Sequence, residues 1–331
     1  MMTSDSPAAP ARENFFLARI VRRLRAAARA IVAWVDSSVT PVSAEASAAR
    51  RVDWVRLAPF VGMHLACLAV AWVGWSWTAI AVAAGLYLVR MFAVTAFYHR
   101  YFSHKAFRTS RAMQFLFALL GASAVQRGPL WWASHHRHHH VHADGEHDAH
   151  SPQRHGFLWA HAGWFMARAN FAARASLVPD LARFPELRFL DRFDALVPLL
   201  LAAALYGSGA WLAAAYPALG TDGPQLLVWG FAISTVMLYH ATFTVNSLAH
   251  TLGRRRYRTR DSSRNNLFLA LLTLGEGWHN NHHHYPGTAR QGFFWWEIDV
   301  TYYVLRLMAA LGLVWDLRPV PAAVREARRV S

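Results

Sequence analysis

Long apolar stretches alternate with polar ones along this chain, and four of the apolar stretches are long enough to cross a lipid bilayer. A membrane-spanning helix needs about 20 mostly apolar residues. The pattern predicts spans at about residues 57–75, 77–98, 194–216 and 226–249. Because a short turn joins the first span to the second and the third to the fourth, the sequence predicts an all-α membrane protein built from two helical hairpins.

The remaining segments are predicted to flank or cap these hairpins. Residues 1–50 are expected to form an N-terminal tail, in which arginines alternate with apolar residues from 14 to 35 as in a helix lying on an anionic membrane. A cleaved transit peptide is the alternative, since the stretch is rich in arginine and poor in acids. Residues 51–317 would form the membrane domain and 318–331 a C-terminal tail. Residues 111–126 predict a buried or interfacial helix, and 291–313 predict an aromatic amphipathic helix at the interface.

Positive charge predicts how the hairpins are oriented. The 331-residue chain has 34 Lys and Arg against 19 Asp and Glu, a net charge of +15, and neither hairpin tip (74–77 and 220–224) carries any Lys or Arg. The positive-inside rule therefore predicts that both tips face away from the cytoplasm, with both termini in the cytoplasm. A bacterial inner membrane is the expected location. Arginine beside a membrane surface explains the high isoelectric point better than nucleic-acid binding does.

Histidine is the candidate chemistry of the chain. Of its 19 histidines, 18 lie between positions 99 and 284, and the single cysteine, Cys67, excludes a Cys-based zinc or iron–sulfur site. The groups 136–140 and 279–283 each contain the i, i+3, i+4 spacing that can aim three imidazoles at one point. His99 and His104 are about 140° apart around an α-helix, so we expect one to serve each of two metals.

With His250 included, nine imidazoles are predicted to converge on the cytoplasmic side. Since a zinc site takes about three or four ligands, nine predict two metal ions, and ligation by nitrogen alone favours iron over copper(I). One such group on its own could be a solvated surface tract, but the convergence of all groups favours a metal centre. His135, His138, His142 and His284 are expected at the surface or beside the ligands. His64 and His240 are expected to be hydrogen-bonded in the interior of the spans.

Three stretches carry a resemblance to a known family: TAFYHRYFSH (95–104), WASHHRHHH (132–140) and GEGWHNNHHH (275–284). Together with NSLAH (246–250), they resemble the integral-membrane fatty acid desaturases, specifically the acyl-CoA Δ9 (stearoyl-type) desaturase family, over about residues 55–315. The resemblance implies a cytoplasmic helical cap that holds a di-iron site. It implies, as iron ligands, His99, His104, His136, His139, His140, His250, His279, His282 and His283, with Asn246 acting through a water.

Further residues are candidates for supporting roles. Ligating imidazoles usually donate their other N–H to an acceptor, and the nearby acids are Asp144, Glu146, Asp148, Asp261 and Glu276. A plain surface salt bridge is the alternative for each acid. An acyl-carrier phosphate, a lipid headgroup or an acidic electron donor could bind Arg254, Arg255, Arg256, Arg258 and Arg260, unless they only follow the positive-inside rule. Tyr87 either caps an acyl tunnel or packs between helices.

The resemblance implies an oxidoreductase that uses O2 and two iron ions to introduce a cis double bond, at Δ9, into an acyl-CoA or acyl-lipid. Electrons would come from a separate donor of the ferredoxin or cytochrome b5 type and its reductase. A membrane di-iron hydroxylase or ketolase is the alternative within the enzymes. A metal transporter is the alternative outside them, although transport sites lie near the bilayer midplane rather than at helix ends.

Overall fold

The computed structural model describes residues 10–40 and 51–330, and it is almost entirely helical. Residues 1–9 and 41–50 of the predicted N-terminal tail lie outside the described residues, whereas the predicted basic helix corresponds to α1. The helices are α1 (Pro10–Val32), α2 (Trp54–Ala66), α3 (Val70–Val73), α4 (Trp77–Phe92), α5 (Arg111–Ala122), α6 (Pro129–His142), α7 (Pro152–His155), α8 (Trp164–Met166), α9 (Pro179–Ala182), α10 (Pro185–Arg192), α11 (Leu196–Ala215), α12 (Gly223–Leu226), α13 (Ser234–Ser247), α14 (Leu267–Leu272), α15 (His279–His284), α16 (Val300–Ala310) and α17 (Ala322–Glu326). Strands β1 (Arg108–Thr109) and β2 (Val314–Trp315) form one antiparallel pair.

Four helical segments are long and apolar enough to cross a membrane, as predicted: Trp54–Val73, Trp77–Ser103, Leu196–Ala215 and Gly223–His250. The first joins α2 to α3, and the third is α11. The second continues from α4 into a π-helical segment, Ala93–Ser103, and the fourth runs from α12 through a π-helical segment, Leu227–Ile233, and α13. The second and fourth are 27 and 28 residues long. Because about 20 residues suffice to span the bilayer, each is long enough to project beyond it at the histidine-bearing end.

The two hairpins meet at their tips. Gly74 ends the first span with a φ of +64°, a conformation that favours glycine. Ser76 then caps α4, and Asp222 caps α12 by accepting a hydrogen bond from the Gln225 backbone N–H. The Gln225 side chain donates to the Val73 carbonyl at 3.1 Å. These contacts fix the two turns against each other, so the four spans form one bundle.

The second and fourth spans form the inner pair of this bundle. About half of each is buried in protein (44% and 56%), against 6% and 17% for the first and third. Arg90 lies between the inner helices, 1% exposed, and donates to the hydroxyls of Ser234 at 2.6 Å and Thr235 at 2.7 Å. A charged side chain is costly in lipid, and these contacts place Arg90 within protein instead. Tyr87 donates its hydroxyl to the Leu272 carbonyl at 2.7 Å, which is an interhelix contact.

The segments between and after the hairpins form a helical cap over the histidine-bearing ends of the inner helices. The predicted short helix at 111–126 is α5, which packs against the π-helical end of the second span. The rings of Phe97 and Phe117 stack there at 3.7 Å. Gly121 allows this close approach, because a Cβ at that position would lie 2.0 Å from the Tyr98 ring.

Two segments differ from the predictions. The helix predicted over 291–313 is present only as α16, because residues 291–299 form a loop that folds around two buried carboxylates. Asp299 accepts from the backbone N–H of Gln291 at 2.7 Å and caps α16 through Tyr302, and Glu297 accepts from the Phe294 N–H at 3.2 Å. The predicted C-terminal tail instead packs on the cap, where Val330 donates to the Arg256 carbonyl at 2.7 Å.

A cavity of about 410 Å³ runs between the bundle and the cap. Much of its wall is apolar or aromatic, including Phe60, Met91, Trp132 and Phe243, and one end reaches His99 and His279. Gln126 and Thr242 also line it and hydrogen-bond to each other at 2.8 Å. The cavity is thus an apolar space that leads to histidine side chains. Tyr87 is not among the residues that line it, so the structure does not support Tyr87 as a tunnel cap.

Candidate metal centre

The π-helical segment at the end of the second span brings His99 and His104 together. In an α-helix these residues would point in different directions, which led to the expectation that each serves a different metal. A π-helix instead hydrogen-bonds from i to i+5, so residues five apart lie nearly above one another. Their ring centroids are 5.0 Å apart. The expectation was wrong because the 3.6-residue period does not hold from Ala93 to Ser103.

Helix α6 divides its histidines between two sites instead of aiming three at one point. Gly128 precedes the helix, Pro129 occupies its first turn, and the Asp191 carboxylate accepts from the Trp131 N–H at 2.8 Å. Consecutive residues on an α-helix are about 100° apart. His136 and His140 therefore share one flank of α6, while His139 faces the other.

Helix α15 divides its histidines in the same way. His279 and His283 point to one site and His282 to the other. Two buried asparagines within this six-residue helix anchor it to the cap. The Asn280 side chain accepts from the Tyr257 N–H at 2.7 Å, and the Asn281 side chain donates to Glu297 at 2.9 Å. The prediction of one convergence point for each histidine group is thus corrected to two points shared by α6 and α15.

The first site, called here the five-histidine cluster, consists of His99, His104, His136, His140 and His282, whose ligand nitrogens all lie within 4.8 Å of one another. The Nε2 atoms of His99 and His282 are 3.0 Å apart, and those of His282 and His140 are 2.8 Å apart. The Nε2 of His136 lies 2.8 Å from that of His104. Five ring nitrogens therefore converge on one point.

The second site, called here the four-histidine cluster, consists of His139, His250, His279 and His283, whose ligand nitrogens likewise lie within 4.8 Å of one another. The Nε2 atoms of His250 and His279 are 3.0 Å apart. The His140 and His283 rings, one from each cluster, stack at 4.5 Å. All nine histidines singled out in the sequence thus lie in one of two adjacent clusters.

Carboxylates contact the outer Nδ1 atoms of several of these rings. Glu276 contacts Nδ1 of His99. Asp148 lies 3.1 Å from Nδ1 of His139 and Asp261 lies 3.0 Å from Nδ1 of His283. Asp144 is more distant, at 3.6 Å from Nδ1 of His250. These are four of the five acids that the sequence analysis singled out.

The fifth acid, Glu146, is exposed and contacts neither cluster within the described part of the chain. It lies between Asp144 and Asp148 in the sequence, but unlike them it is exposed. The sequence did not point to three further residues of this network. Arg100 and Asp299 form a buried ion pair at 3.0 Å, and Arg100 also contacts Glu276 at 3.2 Å. Gln291 donates to Glu276 at 3.1 Å.

The donor set fits a transition-metal ion. Where Nδ1 carries the proton shared with a carboxylate, as at His99, His139 and His283, Nε2 presents its lone pair to the cluster interior. The Nε2 of His283 is buried and has no hydrogen-bond partner among residues 10–40 and 51–330. Converging lone pairs repel one another unless a cation lies between them, and neutral imidazole suits iron, copper, zinc and nickel.

The electrostatics of the rings agree with this fit. Burial lowers the pKa of His283 to about 4 despite its hydrogen bond to Asp261. Burial, reinforced by the neighbouring imidazoles, also holds the pKa values of these rings well below 6.5: His104, His136, His140, His279 and His282. Neutral rings are the form that binds metal. At His139 burial lowers the pKa, but the Asp148 carboxylate outweighs burial and raises the pKa.

Asn246 also faces the region between the cavity and the clusters. It lies on α13 and lines the cavity together with His139 and His279 of the four-histidine cluster. The four-histidine cluster has one nitrogen donor fewer than its neighbour.

Other histidines lie outside the two clusters. His135 is buried rather than at the surface, and its Nε2 contacts the Ala172 carbonyl at 3.1 Å. His284 stacks on Tyr257 at 4.0 Å. His150, which the sequence analysis did not single out, lies with Asp148 within 4.8 Å of the His139 ligand atom. The rings of His138 and His142 contact each other with their centroids 4.5 Å apart.

The two histidines predicted inside the spans are hydrogen-bonded, but not in the interior. The Nε2 atoms of His64 and His240 lie 3.2 Å apart, and His240 is exposed on the outer surface of the bundle. The Nδ1 of His240 also lies 3.0 Å from the Nε2 of His161. Helix α13 presents this face outward because its inward face already contacts Arg90 through Thr235 and carries Asn246.

The basic stretch 254–260 lies outside the cavity. The cavity-lining residues include none of its arginines, and Arg254, Arg255, Arg258 and Arg260 are exposed. Arg256 is bound to the buried Glu297 at 2.7 Å. The structure therefore places these side chains on the surface of the cap.

Four helices apolar enough to cross a membrane, a polar cap and two histidine clusters that could hold metal define the class of this chain as a helical protein with candidate membrane spans and a candidate metal site. Residues 75–314 match the family model described as "Fatty acid desaturase". That match covers well over half of the chain, and the protein therefore belongs to the fatty acid desaturase family.

Curated relatives agree with this assignment. The chain is 38% identical over 273 residues (81% of this chain, 70% of the relative) to a chloroplastic palmitoyl-monogalactosyldiacylglycerol delta-7 desaturase of Arabidopsis thaliana. It is 38% identical over 274 residues (82% and 80%) to an acyl-CoA 5-desaturase of Anemone leveillei. It is 34% identical over 271 residues (81% and 94%) to an sn-1 stearoyl-lipid 9-desaturase of Anabaena variabilis. Desaturases are oxidoreductases, so the predicted enzyme class is confirmed.

Proposed function

We propose that this protein is an O2-dependent di-iron fatty acyl desaturase that introduces a cis double bond into a saturated acyl chain, with Δ9 as the position to test first. The observation that carries the proposal is the apolar cavity that reaches both histidine clusters. It is lined by His99 and His136 of the five-histidine cluster and by His139 and His279 of the four-histidine cluster. An acyl chain in this cavity would have its methylene groups beside both metal positions.

The residues of this chain would bind the metals and the substrate. We assign the nine clustered histidines as ligands of two iron ions, and Asn246 as the residue that holds a water beside the four-histidine cluster. Bound iron would supply the O2 activation needed to break an unactivated C–H bond. Overall, one –CH2–CH2– unit, O2, two electrons and two protons would give a cis –CH=CH– unit and two water molecules.

The cavity wall would orient the acyl chain and exclude water from it. Phe60, Trp132 and Phe243 offer apolar surface, which removes the acyl chain from water without unpaired polar groups. The Gln126 side-chain N–H donates to the Thr242 hydroxyl at 2.8 Å, so that these two groups are hydrogen-bonded to each other within the wall. The shape of the wall would then determine which carbon atoms lie beside the metals.

The carrier and the membrane side are part of the same proposal. Relatives named as acyl-CoA desaturases and as acyl-lipid desaturases are both similar to this chain, so an acyl-CoA or an acyl-lipid is the substrate class. We assign both termini and the metal centre to the cytoplasmic side of a bacterial inner membrane, because the arginines concentrate there. A ferredoxin-type or cytochrome b5-type protein with its reductase would supply the electrons.

Gas chromatography–mass spectrometry of fatty acid methyl esters tests the proposal in an expression host that lacks its own desaturase. The expected result is a new cis-monounsaturated peak whose double bond, located by derivatisation, lies at Δ9. The peak should be absent with His279→Ala, which removes a proposed ligand, and should persist with the matched variant His138→Ala, which changes a histidine outside both clusters.

Other products would change the conclusion in defined ways. A double bond at another position would support the desaturase activity but contradict the Δ9 position; the relatives include 5- and 7-desaturases. A hydroxylated acyl chain would instead indicate a hydroxylase. No new product, although the purified protein contains iron and is supplied with a reduced donor, would contradict the acyl substrate.

A further inference from the structure

Two basic segments that are far apart in the sequence form one surface on the cap. Residues 254–260 run alongside the C-terminal residues 325–330, and Arg258 donates its backbone N–H to the Arg328 carbonyl at 2.9 Å. Tyr257 and Arg329 form an isolated antiparallel bridge. We call this the arginine surface, and it consists of Arg254, Arg255, Arg256, Arg258, Arg260, Arg325, Arg328 and Arg329.

Few acids offset the positive charge of the arginine surface. Glu326 pairs with Arg325 at 3.2 Å and with Arg329 at 2.6 Å, and Glu297 pairs with Arg256. The other five arginines are exposed, and none has a carboxylate partner within 4.0 Å in the described part of the chain. A surface with this much unpaired charge attracts an acidic partner over a distance of about 10 Å at moderate ionic strength.

The arginine surface is separated from the four-histidine cluster by a single layer of residues. Asp261 directly follows Arg260 and contacts Nδ1 of His283 at 3.0 Å. Asn280 follows His279 on α15. Its side chain accepts hydrogen bonds from the backbone N–H groups of Arg256 and Tyr257 at 2.8 and 2.7 Å. The surface is therefore hydrogen-bonded to the residues that surround one of the two metal positions.

The arginine surface also has an aromatic centre. The guanidinium groups of Arg256, Arg325 and Arg329 lie 4.6, 5.7 and 5.5 Å from the centroid of the Phe294 ring. Trp296 stacks on Phe294 at 4.8 Å and is 52% exposed. Weak electron-transfer complexes bury a small interface, below about 1,200 Å², and a central aromatic patch with a charged rim suits such an interface.

The five-histidine cluster differs from this arrangement. Among the described residues, Glu276 is the carboxylate that contacts this cluster, and it pairs with Arg100, which in turn pairs with Asp299. These three side chains are buried, with Arg100 only 1% exposed and Asp299 fully buried. Lys105 is an exposed charge beside this cluster, but it pairs with Asp180 at 3.0 Å. The surface with unpaired positive charge described above is the one that adjoins the four-histidine cluster.

We propose that the arginine surface docks an acidic one-electron carrier protein, and that electrons reach the metal centre through the four-histidine cluster. This inference rests on the proposed desaturase function, in which two electrons are consumed for each double bond. The carrier, an iron–sulfur or haem protein, is oxidised by one electron in each of two encounters. The enzyme uses both electrons, with two protons, to reduce O2 to water as the acyl chain is desaturated.

The experiment compares two sources of electrons for the same iron-loaded, full-length protein in nanodiscs of neutral phosphatidylcholine. One source is a plant-type [2Fe–2S] ferredoxin with its reductase and NADPH, with soluble cytochrome b5 and its reductase as a second acidic donor. The other source is dithionite with methyl viologen, which needs no docking surface. The variants are Arg258→Glu, Arg328→Glu and both together. The matched control is Arg188→Glu, at an exposed arginine on α10 that also has no carboxylate partner within 4.0 Å among residues 10–40 and 51–330.

We expect the double variant to raise the KM for the protein donor at least about tenfold and to weaken its dependence on salt, since reversing rim charges mainly slows association. Turnover driven by dithionite should be unchanged in every variant. Arg188→Glu should behave as the wild type with both electron sources. This pattern assigns the arginine surface to donor docking.

Several results would overturn the inference. An unchanged KM in the double variant, an equal rise with Arg188→Glu, or an equal loss of dithionite-driven turnover would each contradict a docking role. Failure of both acidic donors to drive the wild type would contradict an acidic partner. An effect confined to nanodiscs containing phosphatidylglycerol would assign the arginines to lipid instead. If the wild type forms no desaturated product with dithionite, the proposed function itself has failed.

Discussion

The two histidine clusters use the same ligand type but differ in the charges around them. Three aspartates lie next to rings of the four-histidine cluster: Asp144, Asp148 and Asp261. In the part of the chain that the structure describes, the five-histidine cluster has only Glu276, whose charge is offset by Arg100. Negative charge behind a ligating imidazole makes it a stronger donor and stabilises the more highly charged state of a bound metal. We therefore expect the two metal positions to be inequivalent in affinity and in reduction potential.

Removing one ligand from each cluster should have the largest effect and should separate the two positions. His282→Ala changes the five-histidine cluster, and His283→Ala, one residue later on α15, changes the four-histidine cluster. Each should lower desaturation by more than about 100-fold, because a ligand matters more than the residues behind it. Each should also leave about one iron per chain, measured by plasma mass spectrometry, with a different Mössbauer spectrum for the iron that remains.

The next residue on the same helix provides the control. His284 stacks on Tyr257 and belongs to neither cluster, so His284→Ala should retain both irons. Identical Mössbauer spectra for the remaining iron in His282→Ala and His283→Ala would show that the clusters are equivalent. The difference in charge around the two clusters would then have no effect on the bound irons.

Removing a carboxylate should have a smaller effect, directed at one cluster. Asp261→Asn keeps the shape of the side chain but removes the negative charge behind His283. It should weaken metal binding at the four-histidine cluster about 10–100-fold and raise the reduction potential of the iron there. Graded removal of iron with a chelator, followed by metal analysis and a redox titration, measures both effects.

The exposed Glu146 gives a matched control for this prediction. Glu146→Gln removes a nearby charge that contacts neither cluster, so both the chelation profile and the potential should match the wild type. If Asp261→Asn also behaves as the wild type, the aspartates only orient the rings and their charge does not differentiate the metals. If Glu146→Gln shifts the potential equally, the general charge of the cap is responsible.

The sequence predicted which histidines lie in the two clusters better than it predicted their arrangement. Hydropathy and arginine placement predicted the four spans, and histidine spacing identified the nine clustered rings, because both patterns are local. The division of the nine histidines into clusters of five and four could not be predicted from the α-helical period. His99 and His104 share a cluster because the second span becomes π-helical before them.

Long-range contacts account for the other differences. Arg100 meets Asp299, 199 positions later in the chain, and nothing local in the sequence signals that pair. The loop 291–299 was predicted as helix because its aromatic residues resemble an amphipathic pattern. Its backbone N–H groups are instead satisfied by the buried carboxylates of Asp299 and Glu297, which only the folded cap brings to them.

The smallest predicted effect concerns the support of the five-histidine cluster. Arg137 on α6 donates to the carbonyls of Phe102 and Ser103 at 2.7 and 3.0 Å, directly before His104. Asp180 fixes that guanidinium with contacts of 2.7 and 3.0 Å, and Lys105 lies 3.0 Å from Asp180. Burial raises the pKa of Asp180, but the hydrogen bonds from Arg137 and Lys105 outweigh it and lower the pKa to about 2.

Asp180→Asn should lower the free energy of unfolding by about 1–3 kcal/mol at neutral pH, since a charged hydrogen-bond partner is lost. The folded-state pKa is below the ordinary value of 3.8. The contribution of Asp180 is therefore complete above pH 3.8 and disappears as the pH falls from 3.8 to about 2. Thermal unfolding of the metal-free protein across this range should show the wild type and variant converging at low pH.

Asp316→Asn, which breaks the exposed pair with Arg108, is the control and should have a smaller effect on the free energy of unfolding. A constant difference between wild type and Asp180→Asn down to pH 2 would mean that the shape of the Asp180 side chain, rather than its charge, supports the backbone before His104.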